Sequence, residues 1–508
     1  MKFFIDVIRR LENPQIPFPG IFCTFMAAVT LRNFLEQFST LNPISLPLAV
    51  HYSVCYVAMA LSLMILFHFA SGEEIEKTAR VVLPFFLILS IVPLADQLLH
   101  FGKSSVITYL RPGEHQHLLQ RFFLLGGSYE GSGVTPGQRI EIVLVVILSG
   151  IYFFIKTGRL LRSIFFAFLT YAVIFSYLAL PFFLKIFLNI CGTPYDDTNE
   201  MMIRFYLFLI LPLTQILFYL YNKKYFFAVW KDSRPLRIFY FLSMVVLGFM
   251  FFLNPAVRIL ALNTALRQSG VMLSWFFIAP AVIFGWLFSV MINNCEDYAI
   301  DLVSNKTRPT VSGTIPPTHY KGIALVFLIL ALVYAWAVSF PCFFVILLWV
   351  GNYFLYSCPP LRLKRVPFFS KMIISVNSLA LFGLGFSLCS GVLIPPPVVT
   401  LFFLTCLTAA VNFIDIKDYE GDRAAGIKTL PTLLGLRKAK LIIGSFFLMT
   451  YGLLILLFND TRLLPVLAAT GIIIFCLINR KNYSEKPVLI TCILSIIVLI
   501  IHLWMRSF

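Results

Sequence analysis

Apolar runs of about 20 residues recur along this chain, and a run of that length is what an α-helix needs to cross the hydrocarbon core of a bilayer. The first lies near residues 20–37 and the last near 487–505. Between them the pattern returns near 50–70, 81–98, 140–158, 164–190, 203–222, 237–253, 271–292, 321–338, 341–357, 370–388, 395–412, 439–458 and 463–479. The runs do not alternate apolar with polar, so they read as helices and not as the strands of a barrel. The expected fold is an all-α polytopic membrane protein with about 15 transmembrane helices. Of its 508 residues, 59% are hydrophobic and only 12% charged. The mean hydropathy of +0.89 excludes an ordinary soluble domain. The ten Cys are scattered through apolar stretches without a C-x-x-C pair, which fits small buried side chains better than disulfides or metal ligands.

A net charge of +17 would suggest nucleic acid in a soluble chain. Here the Lys and Arg residues sit in short loops, where they set membrane orientation. With the N-terminus in the cytoplasm, about three-quarters of the 40 Lys and Arg residues fall on the cytoplasmic side. The expectation is an integral, multi-pass protein of a bacterial cytoplasmic membrane, in contact with lipids and with no nucleic-acid partner. A basic linker at residues 222–237 marks a boundary between a six-span module, 1–224, and a nine-span domain, 225–508. The first module has isolated polar residues in or beside its apolar runs, among them Arg32, Glu36, His51, Asp96 and His100, and no run in it ends in a carboxylate cluster. Its loops hold a His115-x-His117 pair, a turn-rich stretch at 126–137 and an acidic group at Asp196 and Asp197. None of these forms a recognisable site, and no partner protein for this module can be named.

The second domain is different. Directly after the run at 271–292 come Asn293, Asp297 and Asp301, spaced four apart. On a continuous helix such side chains stack on one face. Carboxylates at a membrane helix end are expensive and mark function by default. A related stretch follows about 120 residues later. Asp297-Tyr298-x-x-Asp301 matches Asp418-Tyr419-x-x-Asp422, and Lys306…Pro309-Thr310 matches Lys428…Pro431-Thr432. The orientation deduced from charge places both loops on the cytoplasmic side.

Oxygen ligands without His or Cys favour a hard cation such as Mg²⁺, which is commonly shared with substrate phosphates. The cations beside the ladders suit a diphosphate: Lys306, Arg308, Arg423 and Lys428 follow them, and Arg362, Lys364 and Arg365 occupy another loop on the same side. Arg365 and Lys371 read more simply as orientation charges. Apolar helices behind the site can house a hydrocarbon tail.

These residues resemble the motifs of the UbiA-type membrane prenyltransferases, over residues 232–504. The first motif of that family, N-D-x-x-D-x-x-x-D followed by N-x-x-x-R-P and S-G, is met by Asn293, Asn294, Asp297, Asp301, Asn305, Arg308-Pro309 and Ser312-Gly313, with one spacing shortened. Asn294 stands where the family usually has an Asp. The second motif is met by Asp418, Asp422, Gly426, Lys428 and Thr429, and the loop containing Arg362 and Lys364 matches a third. The resemblance implies a nine-helix bundle open sideways to the bilayer. It also implies Mg²⁺-dependent transfer of a polyprenyl group from polyprenyl diphosphate to an acceptor, either an aromatic ring of the quinone-precursor type or a glyceryl phosphate lipid precursor. By the same resemblance Asn293, Asp297, Asp301, Asp418 and Asp422 hold the metal. Arg308, Lys364 and Lys428 would stabilise the departing diphosphate, Arg362 and Arg423 are further candidates for substrate binding from their place beside these motifs, and Asp415 and Lys417 are candidates for positioning or deprotonating the acceptor. An alternative from the residues alone is a cation-coupled transporter with the Asp ladders as ion sites.

Overall fold

The computed structural model describes residues 2–40, 45–99, 118–126, 134–190, 199–252, 269–366, 368–424, 426–458 and 460–505. His100, His115, His117, Asp196, Asp197 and part of the 126–137 stretch lie outside them. Every described regular element is helical. Among the described residues thirteen helices are long and apolar enough to cross a membrane, and a bent pair, Lys223–Lys231 with Pro235–Phe251, makes up to fourteen. The chain divides into two compact units, Met1–Lys223 and Lys224–Phe508.

In the first unit the spans are Phe18–Gln37, Leu46–Ser71, Ile75–Leu99, Pro136–Thr157, Leu160–Leu178 and Asn199–Tyr221. Their ends follow local chemistry. Ser45 and Thr135 are N-caps, each with Pro among the first residues of the helix, where a missing N–H costs nothing. Gly72 and Gly158 close two helices in the left-handed conformation. The sequence pattern suggests one run over 164–190, but the chain forms two helices, Leu160–Leu178 and Leu180–Ile190. Pro181, which lacks a donor N–H, sits at the start of the second. Phe25, Phe67, Phe86, Tyr152 and Phe153 form the aromatic centre of this unit. Lys156 ties one end together through Glu12 at 2.7 Å and Glu73 at 3.0 Å.

In the second unit, Ser269–Glu296 packs along Pro317–Val338, Pro235–Phe252 along Phe369–Ser390, and Leu436–Phe458 along Leu464–Asn479. Small residues permit the second of these contacts. A Cβ on Gly248 would stand 1.9 Å from the Phe382 carbonyl oxygen, and one on Gly385 1.8 Å from that of Val245. Lipid tails supply no hydrophobic drive between membrane helices, so such close backbone approach is a principal source of their association.

Candidate active site

The first acidic stretch departs from a single continuous helix. The helix Ser269–Glu296 ends just before Asp297, and a short helix, Tyr298–Ser304, begins just after it. Asp297 is the turn between them, and its carbonyl accepts the Asp301 N–H at 2.8 Å. The second stretch repeats this geometry. Asp418 precedes the short helix Tyr419–Ala424, and its carbonyl accepts the Asp422 N–H at 2.8 Å. The two short helices pack against each other. The internal repeat is thus a repeat of backbone geometry, an Asp-turn-helix unit used twice.

The side chains do not form a simple ladder. Asn293 accepts a hydrogen bond from the Ser357 hydroxyl at 2.9 Å. Asp297 is gripped by two cations of the 358–366 loop: Lys364 donates to it, and Arg362 donates at 3.1 Å. Arg362 also reaches the Glu296 carbonyl at 3.0 Å, and it takes the left-handed backbone conformation with φ 41°. Asp301 is buried, accepts from Asn305 at 2.8 Å, and lies 3.9 Å from Arg308. Burial pushes its carboxyl upward, against the pull of Asn305 and Arg308. Burial likewise pulls the Lys364 ammonium down, against Asp297.

Asn294, which stands where the family usually has an Asp, is completely buried. Its amide donates to Asp232 and, at 3.1 Å, to the Tyr320 hydroxyl, while its oxygen accepts from Arg234 at 3.2 Å. Asp232, which the motifs did not single out, is the centre of this group because it also pairs with Arg308. An Asp at position 294 would face Asp232 directly, so the amide matches its surroundings. An acidic residue three positions before the Pro235–Phe252 helix was the available signal, but nothing local connects it to a motif 76 residues away.

Lys371 needs a second correction. It is not an orientation charge at the surface but a buried ion-pair partner of Asp415, each about 6% exposed. The other Asp415 oxygen is buried without a hydrogen bond among the described residues. Lys417 turns instead to Glu485 at 2.5 Å, which Arg237 also holds at 2.7 Å. Lys306, Arg365, Arg423 and Lys428 are exposed. Arg423 approaches the Tyr419 hydroxyl at 3.5 Å, and among the described residues Lys428 forms no ion pair with the carboxylates.

Burial, with Asp415 and Asp418 nearby, pushes the Asp422 carboxyl up to about 7. Such accumulated negative charge is what a bound cation would relieve, and the donors are all oxygens, as a hard cation prefers. Among the described residues no three acidic, His or Cys groups converge on one point. A bound Mg²⁺ would therefore complete its shell with water and substrate oxygens, its usual habit. Close to the second stretch, a largely apolar cavity of about 130 Å³ is lined by Phe382, Phe403, Phe413, Phe447 and Tyr451, among others.

Residues 252–488 match the UbiA prenyltransferase family. A digeranylgeranylglyceryl phosphate synthase of Methanobrevibacter smithii is 30% identical over 219 residues, which are 41% of this chain and 76% of that protein. A naringenin 8-dimethylallyltransferase of Sophora flavescens is 31% identical over 241 residues, 45% of this chain. The chain spans 57% of that plant protein, little more than half its length. A UbiA homolog from Archaeoglobus fulgidus, solved bound to DMAPP and Mg²⁺, is 19% identical with a TM-score of 0.44, covering 55% of this chain and 99% of that one.

Proposed function

This chain belongs to the UbiA prenyltransferase family, and on that premise we propose that its second unit transfers a polyprenyl group from polyprenyl diphosphate to a nucleophilic acceptor, with Mg²⁺ as cofactor. The observation that carries the reading is the duplicated Asp-turn-helix unit, its two copies packed together beside the Arg362–Lys364 loop. Asn293, Asp297, Asp301, Asp418 and Asp422 would hold the metal. Bound Mg²⁺ would neutralise diphosphate oxygens and improve the leaving group.

The chain's own residues then divide the work. Lys364, Arg362 and Arg308 stand ready for the charge that grows on diphosphate as the C1–O bond breaks and its electron pair leaves with oxygen. These cations are now neutralised by Asp297 and by Asp232 with Asp301, so they are held in place before substrate arrives. The acceptor supplies the electron pair for the new bond to C1 and loses a proton. The apolar cavity offers room for part of the prenyl chain. The carboxylates lie just outside the spans Leu273–Glu296 and Pro397–Ile416, where a headgroup sits. An ion-coupling site of a transporter belongs near mid-membrane. The charge bias supports a cytoplasmic location for this end.

The acceptor is proposed as an aromatic ring or a glyceryl phosphate. Membranes containing the chain, given labelled polyprenyl diphosphate, Mg²⁺ and each acceptor class in turn, should form one prenylated lipid, identified by mass. Failure to release diphosphate with any acceptor would remove the proposal.

Asp232 acts through Arg308. Asp232→Ala should slow diphosphate release about 10- to 100-fold, the worth of one charge-assisted hydrogen bond. The same change made in an Arg308→Ala background should add little, because both remove one interaction. Fully additive losses in that cycle would separate the two residues.

A further inference from the structure

The two copies of the Asp-turn-helix unit share a backbone geometry but differ in charge. Asp297, in the first copy, is held by Lys364 and, at 3.1 Å, by Arg362. Asp418, in the second, is exposed and forms no ion pair among the described residues. Two cations nevertheless act on it from nearby: Lys417, its neighbour in the chain, and Arg237.

Glu485 holds both of them. Lys417 donates to one Glu485 oxygen at 2.5 Å and Arg237 to the other at 2.7 Å. Glu485 is the first residue of the helix Glu485–Met505, where the free N–H groups of the first turn favour a carboxylate. Its place beside the second acidic stretch is set from two sides. The Tyr483 hydroxyl donates to the Phe413 carbonyl at 2.7 Å, and Arg237 reaches across from the helix Pro235–Phe252. The Glu485 side chain is 13% exposed and that of Lys417 42%. The lysine, on its flexible stem, is therefore the member free to move when the pair is broken.

A cation against a carboxylate meets the charge that a divalent ion would otherwise meet, so the two compete. Without Glu485, Lys417 can turn onto Asp418 as Lys364 turns onto Asp297. With Glu485 in place, the charge of Lys417 is directed away from the acidic turn.

We infer that Glu485 is a positioning residue for metal binding: by taking up Lys417 and Arg237 it leaves the Asp418 carboxylate open to a divalent cation. The second copy is then the side on which the ion seats, and the first copy the side on which the protein's own cations wait for diphosphate. The inference rests on the prenyl-transfer reading and adds to it a residue that lies outside the acidic motifs and the Arg362–Lys364 loop.

The test follows Mn²⁺ binding to the full-length chain in lipid nanodiscs, without substrate, from the fall of the free-ion electron paramagnetic resonance signal. The parent should bind Mn²⁺ saturably, and Asp418→Asn should weaken that binding. Glu485→Gln keeps the shape and a hydrogen-bond acceptor for Arg237 but loses the charge, and it should weaken Mn²⁺ at least fivefold. Glu485→Asp, which keeps the charge, should stay within fivefold of the parent. Adding Lys417→Met to Glu485→Gln removes the released cation and should restore at least half of the lost binding free energy. A merely structural role for Glu485 gives no such recovery. Lys417→Met alone should change the affinity less than fivefold, because its charge is already taken by Glu485. That exposed position carries the test if Glu485→Gln does not fold. Weakening of less than fivefold in Glu485→Gln, a larger loss in Glu485→Asp, recovery of less than half in the double variant, or a fivefold change in Lys417→Met would each overturn the inference. So would parent binding that is absent or that Asp418→Asn leaves intact. Diphosphate release by the parent is read separately. A chain that binds Mn²⁺ as described but releases no diphosphate keeps this role for Glu485 and loses the prenyl-transfer reading.

Discussion

Replacing Asp297 and Asp418 together by Asn is expected to slow release of labelled diphosphate by about 10³-fold or more, since removal of even one preorganised electrostatic group costs 10²–10³ in rate. The two residues are the equivalent turns of the repeated unit, each accepting the N–H of the Asp four residues on. Asn keeps that backbone bond and the side-chain shape, so the change removes charge and little else. In the parent chain, EDTA should produce a loss of the same size, and added Mg²⁺ should reverse it. In the double variant Mg²⁺ should restore little. Diphosphate release that persists in the variant at the parent rate would show that the paired carboxylates are not the diphosphate clamp. The single changes carry separate information. Asp297→Asn also frees Lys364 and Arg362, so part of its metal loss is offset by cations released toward substrate. Among the described residues Asp418 has no such ion pair, only the charges of Lys417 and Arg237 acting on it, and its single change should cost more.

The membrane helices are legible in the sequence because lipid leaves the backbone no alternative. Its polar groups must pair internally, so each crossing writes a run of about 20 apolar residues. Apolarity records the crossing but not its breaks, which is why 164–190 reads as one run and folds as two helices around Pro181. The paired Asp motifs are legible for a different reason: repetition at one spacing separates a site from an isolated charge. Partner choice is not legible. Asp232 meets Arg308 across 76 residues and Lys371 meets Asp415 across 44, and such pairs are set by which helices pack together. Read locally, a Lys in a basic loop is an orientation signal. Only the packing of Phe369–Ser390 near Val411–Ile416 makes it an internal countercharge.

That countercharge supports the second large effect. Lys371→Met should destabilise the chain by about 3–5 kcal/mol, the usual cost of leaving one member of a buried pair alone. Asp415 is already short of partners, because its second oxygen is buried without a hydrogen bond among the described residues. Without Lys371 the carboxylate must stay charged and unpaired or take up a proton, and both lower stability. Replacing both, Lys371→Met with Asp415→Leu, should recover most of the loss, since apolar groups of similar volume commonly match or exceed a buried ion pair. Reversible unfolding in detergent micelles measures each difference. Diphosphate release and product formation, read on the same samples, divide structure from chemistry. If the pair only holds the helices, the stable double variant keeps its activity. If Asp415 meets the acceptor, the double variant folds, still turns over the diphosphate slowly, and fails to form the prenylated product. A Lys371→Met chain as stable as the parent would mean that Asp415 has another countercharge and that the pair is dispensable.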